Sequence, residues 1–232
     1  QLLSMARAYS GDCVTSFELM PRIALDLVLK HIPASADPLV KDYPWYVLFD
    51  LGSPQSEAPL RQAGERILTS GLDTGLVLDG TIAASQWQAE NLWRMRHAIS
   101  EAERADGPSI KHDISVPVSA LPSFIADATA ACEAKIDGVR VVAFGHIGDG
   151  NVHFNLQQPL DDDGHFIRRW DEMNTLVHEI VVQYKGSISA EHGIGTLKKD
   201  ALATFKPQNT AIMKSIKSVI DPKNIMNPGK LI

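Results

Sequence analysis

Two histidines flank a glycine-rich turn in residues 145–155, which read Gly-His-Ile-Gly-Asp-Gly-Asn-Val-His-Phe-Asn. The β-branched and aromatic residues before the turn and the alternation after it predict a β-hairpin. Its two-residue turn is predicted at Asp149-Gly150, because this dipeptide favours a type I′ turn, which requires positive φ at both central residues. This register sets His146 opposite His153 on one face, with their Cβ atoms about 4.5–5.5 Å apart. Two imidazoles so placed can bind one metal ion, and a slip of one residue would separate them.

A second segment, residues 187–195, places Glu191 beside His192 among small residues. With the hairpin histidines, Glu191 gives two nitrogen ligands and one oxygen ligand, and it leaves coordination positions open for water or substrate. That composition is typical of catalytic rather than structural metal sites. The plain alternative is that His146 and His153 are ordinary half-buried strand residues. A phosphate-binding loop is disfavoured, because no Gly-Lys-Ser/Thr follows the glycines and no helix begins there.

Both segments resemble the C-terminal domain of FAD-linked oxidases. The matching residues are 145–153 and 189–193, and residues 227–232 fit the end of the same domain. The resemblance extends over nearly the whole chain and indicates the branch that contains D-lactate, D-2-hydroxyglutarate and glycolate dehydrogenases. It implies that FAD is carried by a separate N-terminal domain. Residues 1–232 are therefore expected to be one C-terminal substrate domain, with the FAD-binding domain outside them.

Composition and charge disfavour several other classes of function. The net charge is −6, and acidic and basic residues are interspersed, so no basic surface for nucleic acid or a membrane is indicated. The sequence contains no run of about 20 apolar residues, so no transmembrane helix is predicted. We find no signal peptide and no dinucleotide fingerprint. The sequence also does not begin with methionine, so we expect a fragment or processed piece of a longer protein. Cys13 and Cys132 are predicted to be reduced, which favours a cytoplasmic location.

A helix and a strand are predicted to carry the substrate-binding residues. The helix covers residues 86–104, and its wheel places Arg96 at the edge of the buried face, with Ser100 one turn on. The alternation over residues 109–116 predicts a strand on which Lys111 and Asp113 face away from the apolar side. An arginine beside the core and a lysine in solvent are the ordinary interpretations. The family resemblance instead implies that Arg96 and Lys111 bind the substrate carboxylate, and that Ser100 replaces a threonine and keeps its hydroxyl.

The remaining pattern predicts an α+β fold. Further strands are predicted at 14–19, 45–51 and 74–78. Further helices are predicted at 1–9, 21–30, 59–70, 118–135, 165–184, 196–205 and 207–220. Two strand–helix–strand blocks favour a ferredoxin-like arrangement, single or duplicated, with an antiparallel sheet, helices on one face and a helical C-terminal segment. A parallel doubly wound sheet is the alternative. His112 and His178 are expected to be ordinary surface or capping histidines.

Residue chemistry and resemblance together predict a D-2-hydroxyacid dehydrogenase. A divalent metal, zinc or manganese, is expected on the ligands His146, His153 and Glu191. It would chelate the substrate's carboxylate and hydroxyl and lower the hydroxyl pKa. Arg96 would bind the carboxylate in a bidentate fork, and Lys111 would add positive charge. His192 would take the hydroxyl proton, and the hydride would pass to FAD in the other domain. Asn155 shares the face of His153 and is expected to bond to substrate or to a ligand histidine.

Three alternatives stay open on sequence alone. The same ligands suit a metallo-hydrolase, which would turn over without flavin. They also suit ferrous iron in an oxygenase, which would consume oxygen with a co-substrate. A non-enzymatic hypothesis is that the isolated chain is an inactive half-site. Its exposed apolar surface would then bind the flavin domain or a second copy of the chain as a homodimer.

Overall fold

The computed structural model describes residues 1–54 and 57–232. Their strands are β1 (Val14–Pro21), β2 (Trp45–Leu51), β3 (Ser109–Ile110), β4 (Asp113–Ser115), β5 (Arg140–His146) and β6 (Asn151–Gln157). Their α-helices are α1 (Leu2–Ser10), α2 (Arg22–His31), α3 (Glu57–Asp73), α4 (Gln86–Asp106), α5 (Leu121–Lys135), α6 (Trp170–Gln183), α7 (Lys199–Phe205) and α8 (Pro207–Ile220). In this part of the chain no helix is both long and apolar enough to cross a membrane.

The strands form a sheet in the order β2-β1-β5-β6-β3, and β4 pairs with β6. The pairs β1–β2, β1–β5 and β4–β6 are antiparallel. Helices α7 and α8 follow the Glu191-His192 segment and end the chain's regular structure. The predicted α+β class with an antiparallel sheet and a helical C-terminal segment is therefore confirmed, and the parallel alternative is wrong.

The first compact unit comprises residues 1–109 and 142–148. Its larger core lies where α2 packs on α4, with Val28, Ile99 and Phe144 almost fully buried. Ser85 caps α4 as its sequence suggests, because its hydroxyl oxygen accepts the backbone N–H of Gln88 at 3.2 Å. The cap and the apolar stripe along α4 hold the helix against this core, and so determine which of its polar side chains face inward.

The second compact unit comprises residues 110–141 and 149–232. Its core contains Phe124 of α5, whose ring lies 5.6 Å from that of Phe154 and 5.8 Å from that of Tyr184. Strand β6 is buried at every position except the half-buried His153. This burial goes beyond the predicted alternation, because Asn155 is buried as well as Phe154. The only side chain of β6 that reaches toward solvent is therefore a predicted metal ligand.

Two predicted strands were wrong in part or in full. Residues 74–78 form no strand, because the chain folds back after α3 and the N–H of Val77 donates to the Gly71 carbonyl at 2.9 Å. The predicted strand at 109–116 is interrupted between β3 and β4. There the N–H of His112 donates to the side-chain oxygen of Asn155 at 3.3 Å instead of to a strand backbone. A side chain from a distant strand thus replaces a ladder bond.

The turn between β5 and β6 also differs from the prediction. It contains four residues, 147–150, and only Gly150 has positive φ there, so it is not a type I′ turn. The Asp149 side chain instead accepts the backbone N–H of Asn151 at 3.0 Å, as aspartate does in Asx turns. The N–H of Ile147 donates to the Phe17 carbonyl of β1 at 3.0 Å. Pairing with β1 therefore competes with the tight hairpin closure that the dipeptide favours.

Candidate functional site

In the first unit, a buried carboxylate joins two of the predicted site residues. Glu18 lies on β1 directly opposite His146 of β5 and is 3% exposed. The Nδ1 atom of His146 is 2.5 Å from Glu18 Oε1. Arg96 of α4 donates from Nε to Glu18 Oε2 at 2.8 Å, and its Nη2 is also 2.8 Å from that oxygen. One carboxylate therefore positions a candidate metal ligand and a candidate substrate-binding arginine.

These contacts orient the histidine and the arginine. An imidazole that donates Nδ1–H to a carboxylate keeps its lone pair on Nε2, the form in which it binds metals. The His146 side chain is 39% exposed. Arg96 is buried, as the helix wheel predicts, and its cation lies 4.8 Å from the centre of the Phe144 ring. Its Nε and Nη2 both face Glu18.

In the second unit, Asp113 of β4 organises the Glu191-His192 segment. Its Oδ2 accepts three backbone N–H groups, from Ala190 at 3.2 Å and from Glu191 and His192 at 2.8 Å each. Burial alone raises the pKa of Asp113, but the His192 and Glu191 N–H donors outweigh it and lower the pKa below its usual value. The carboxylate is therefore ionised at neutral pH and holds this segment in one conformation.

Asp113 also lies between two histidines of the site. Its oxygens are 3.8 Å from Nδ1 of His153 and 3.8 Å from Nδ1 of His192. The two imidazole rings stack with their centres 5.9 Å apart. Candidate donor atoms of Asp113, His153 and His192 lie within 4.8 Å of one another, as do those of His153 and Glu191. The second unit thus contains a group of side chains able to hold a metal ion.

The other predicted substrate-binding residues have different surroundings. Ser100 is exposed on α4, and Lys111 is exposed between β3 and β4. Asn155 is 3% exposed, and its side-chain oxygen accepts the His112 N–H at 3.3 Å. Asn155 therefore has a structural contact that the sequence did not predict, and the substrate roles of these three residues stay predictions.

Two residues of the site were missed by sequence reasoning. Glu18 interrupts an apolar strand next to the buried Phe17, and a carboxylate at such a position requires a partner. Asp113 was placed on the face of its strand opposite the apolar residues, yet it is 3% exposed. A buried acidic residue within a predicted strand was the available signal in both cases.

Two histidines expected at the surface are in fact buried beside this site. The rings of His112 and His178 meet edge to face with centres 5.9 Å apart, and the His112 ring lies 2.7 Å from the Phe154 carbonyl oxygen. Burial lowers the pKa of His112 to about 3 and that of His178 to about 4. Both are therefore neutral at physiological pH and are part of the core.

Comparison with known proteins gives a consistent family. Residues 2–231 match the family described as FAD linked oxidases, C-terminal domain. A protein of Xanthomonas citri pv. viticola named D-2-hydroxyglutarate dehydrogenase is 39% identical over 220 residues, which are 93% of this chain and 45% of that protein. One of the same name from Stutzerimonas stutzeri is 38% identical over 94% of this chain and 47% of its own length. A mitochondrial one from Arabidopsis thaliana is 34% identical over 100% and 40%.

The chain spans less than half the length of these relatives. A solved structure of alkyldihydroxyacetonephosphate synthase has a similar fold, with a TM-score of 0.50 and 17% identity over 99% of this chain and 42% of the other. The match over residues 2–231 confirms the resemblance of the histidine motifs. The chain belongs to the C-terminal domain family of FAD-linked oxidases.

Proposed function

We propose that this chain is the substrate- and metal-binding half of a flavin-dependent D-2-hydroxyacid dehydrogenase. Its substrate class is a D-2-hydroxy acid, with D-2-hydroxyglutarate favoured over D-lactate by the names of the relatives. The observation that carries the proposal is the segment held by Asp113, which presents Glu191 and His192 beside His153 in a chain of this family. Residues 1–232 would act as one substrate domain.

FAD is proposed to lie mainly in a domain outside these residues, since the chain covers less than half of each relative. When bound, the flavin supplies the acceptor for the hydride that leaves the substrate Cα. In isolation this chain is therefore expected to lack turnover and to bind its flavin domain or a second copy of itself. Both cysteines are free, which supports a reducing compartment such as the cytoplasm.

A divalent metal, zinc or manganese, is proposed on His146, His153 and Glu191. The residues fit this role, because Nδ1 of His146 contacts the Glu18 carboxylate, as is usual for a metal-ligating histidine, and because His153 and Glu191 have donor atoms within 4.8 Å of each other. His146 ends β5, and β6, which carries His153, is the next strand of the sheet. When bound, the metal acts as a Lewis acid that lowers the pKa of the substrate hydroxyl.

The proposed proton acceptor is His192. Its backbone is held by Asp113, while its side chain is 66% exposed and can reach a bound molecule. With Nδ1 toward the Asp113 carboxylate, Nε2 would take the hydroxyl proton, and the carboxylate would stabilise the resulting imidazolium. Arg96 and Lys111 would bind the substrate carboxylate. Ser100 would add a hydrogen bond to the substrate, and Asn155 would bond to the substrate or to a histidine ligand of the metal.

The test is flavin reduction in the whole protein loaded with FAD and zinc. D-2-Hydroxyglutarate is expected to reduce the flavin faster than D-lactate does. The L enantiomer of 2-hydroxyglutarate is expected not to reduce the flavin. His192→Ala should lower the reduction rate by about 100-fold or more, since general base catalysis contributes about 100- to 10,000-fold. His165→Ala, which changes an exposed histidine of the same unit, is the control and should leave the rate unchanged. Hydrolysis without flavin, or oxygen consumption that needs a co-substrate, would contradict the proposal.

A further inference from the structure

Glu18 lies between two groups that have different tasks in the proposed function. Its side chain is 4% exposed, and each of its oxygens has its own partner. Oε1 contacts Nδ1 of His146 at 2.5 Å, whereas Oε2 accepts the Nε–H of Arg96 at 2.8 Å. All three residues belong to the first unit, and they come from β1, β5 and α4.

We propose that Glu18 is a positioning residue that couples metal binding at His146 to substrate carboxylate binding at Arg96. The inference rests on the proposed function, because it assigns the metal and the carboxylate to these two residues. It adds that neither residue acts independently, since one carboxylate orients both.

The first half of the coupling acts through the imidazole. A carboxylate that accepts Nδ1–H fixes the tautomer and the ring orientation of a metal-ligating imidazole. Strand pairing helps, because Glu18 and His146 are directly opposed in the β1–β5 ladder and their side chains share a face. Loss of Glu18 would remove this contact, which orients the His146 ring.

The second half acts through charge. A buried guanidinium requires a counter-charge, and Glu18 supplies it, so the pair has no net charge. A substrate carboxylate that binds Arg96 therefore brings a second negative charge close to Glu18. A divalent cation on His146 offsets that repulsion. Metal and substrate should therefore strengthen each other's binding, and the two effects are equal by thermodynamic linkage.

The first unit contains a matched buried carboxylate without these tasks. The Asp106 side chain is 2% exposed; its Oδ1 accepts from Lys30 Nζ at 2.7 Å and lies 2.8 Å from Nε2 of His31. It too joins a cation to a histidine, but neither partner belongs to the proposed site. Asp106→Asn therefore reports the cost of removing such a charge from the fold alone.

The experiment compares Glu18→Gln with Asp106→Asn in the whole protein loaded with FAD. Glutamine keeps the size of the side chain, but its amide NH2 replaces one acceptor with a donor. The zinc dissociation constant is measured by competition with a chelator, and KM for D-2-hydroxyglutarate is measured with and without saturating zinc. Glu18→Gln should weaken zinc binding about 10- to 100-fold and reduce the effect of zinc on KM. Asp106→Asn should change the unfolding temperature only.

A double-variant cycle shows whether Glu18 acts through His146. In a His146→Ala background, Glu18→Gln should cause no further loss of zinc affinity, because the ligand it orients is gone. Independent, additive losses would overturn the inference, as would wild-type zinc affinity and KM in Glu18→Gln. If Glu18→Gln does not fold, Glu18→Asp is measured in its place, because aspartate keeps the charge but is too short to reach both partners. The same loss of zinc affinity relative to wild type and to Asp106→Asn is expected. A wild type that binds no zinc would overturn the metal of the proposed function as well, so the two failures are distinguishable.

Discussion

Asp113 is predicted to control the rate of turnover although it is not expected to touch the substrate. Asp113→Asn changes its charge but keeps its shape. The amide oxygen can still accept the three N–H groups that now reach Oδ2. Hydrogen bonds to a charged group contribute about 1.5–3 kcal/mol and neutral ones about 0.5–1.5, so three bonds lose about 3–4.5 kcal/mol of folding stability.

The same substitution removes a negative charge that lies 3.8 Å from Nδ1 of His192. Two unit charges at this distance interact by about 1 kcal/mol in water-like surroundings, which apply because the His192 side chain is 66% exposed. The rate of proton removal should therefore fall roughly fivefold in Asp113→Asn. Asp113→Ala also releases the backbone of residues 190–192, and misplacement of the base by about 1 Å should lower kcat about 100-fold.

The assay is single-turnover flavin reduction in the whole protein, together with urea unfolding of each variant. The control is Asp127→Asn, which removes an exposed carboxylate that accepts a hydrogen bond from Tyr184 in the same unit. We expect the order wild type and control, then Asp113→Asn, then Asp113→Ala. Equal rates in the two Asp113 variants would show that charge and not segment position matters. A rate in Asp113→Ala near that of wild type would refute the reasoning altogether.

Two further predictions concern the stability of the fold. In the folded protein the pKa of His112 is about 3 and that of His178 is about 4, below the usual 6.5. Between the folded pKa and 6.5 the unfolded state therefore binds more protons than the folded state does. The stabilisation is complete above pH 6.5 and is lost as the pH falls. Urea unfolding should show a loss of about 2 kcal/mol per histidine from pH 7 to 5, and a flat profile would contradict it. Gly150→Ala should lower the unfolding temperature strongly, because φ is +84° and a Cβ would lie 2.1 Å from the Val116 oxygen. Gly148→Ala, with nothing within 4 Å, is its control and should have little effect.

Sequence patterns predicted those parts of the site that depend on residues close together in the chain. The histidine motif and the family were inferred from the spacing of His146 and His153 around glycines, and this inference did not depend on the turn conformation. The wheel of α4 placed Arg96 inward, because a helix has one period and one buried stripe. These features depend on residues a few positions apart, and periodicity describes them well.

Features that depend on distant residues could not be predicted. Glu18 is 128 positions from His146, and their contact depends on the pairing of β1 with β5. Asp113 is 79 positions from His192, and its role depends on where the segment at 190–192 returns to β4. Alternation assigned Asp113 to the solvent face, because a strand pattern does not reveal that another segment covers that face. The predicted turn at Asp149-Gly150 was wrong for the same reason, since β1 accepts the N–H of Ile147.

The order in which the chain supplies the two units has a consequence for modular exchange. Residues 1–109 and 142–148 belong to one unit, and 110–141 and 149–232 to the other. The chain therefore changes unit three times, once near the start of β5 and once within the turn that separates the two motif histidines. No single cleavage separates the units, and neither can be cloned as one continuous segment. Recombination that transplants substrate specificity between relatives is thus expected to succeed only when its crossover points lie outside the whole interleaved stretch.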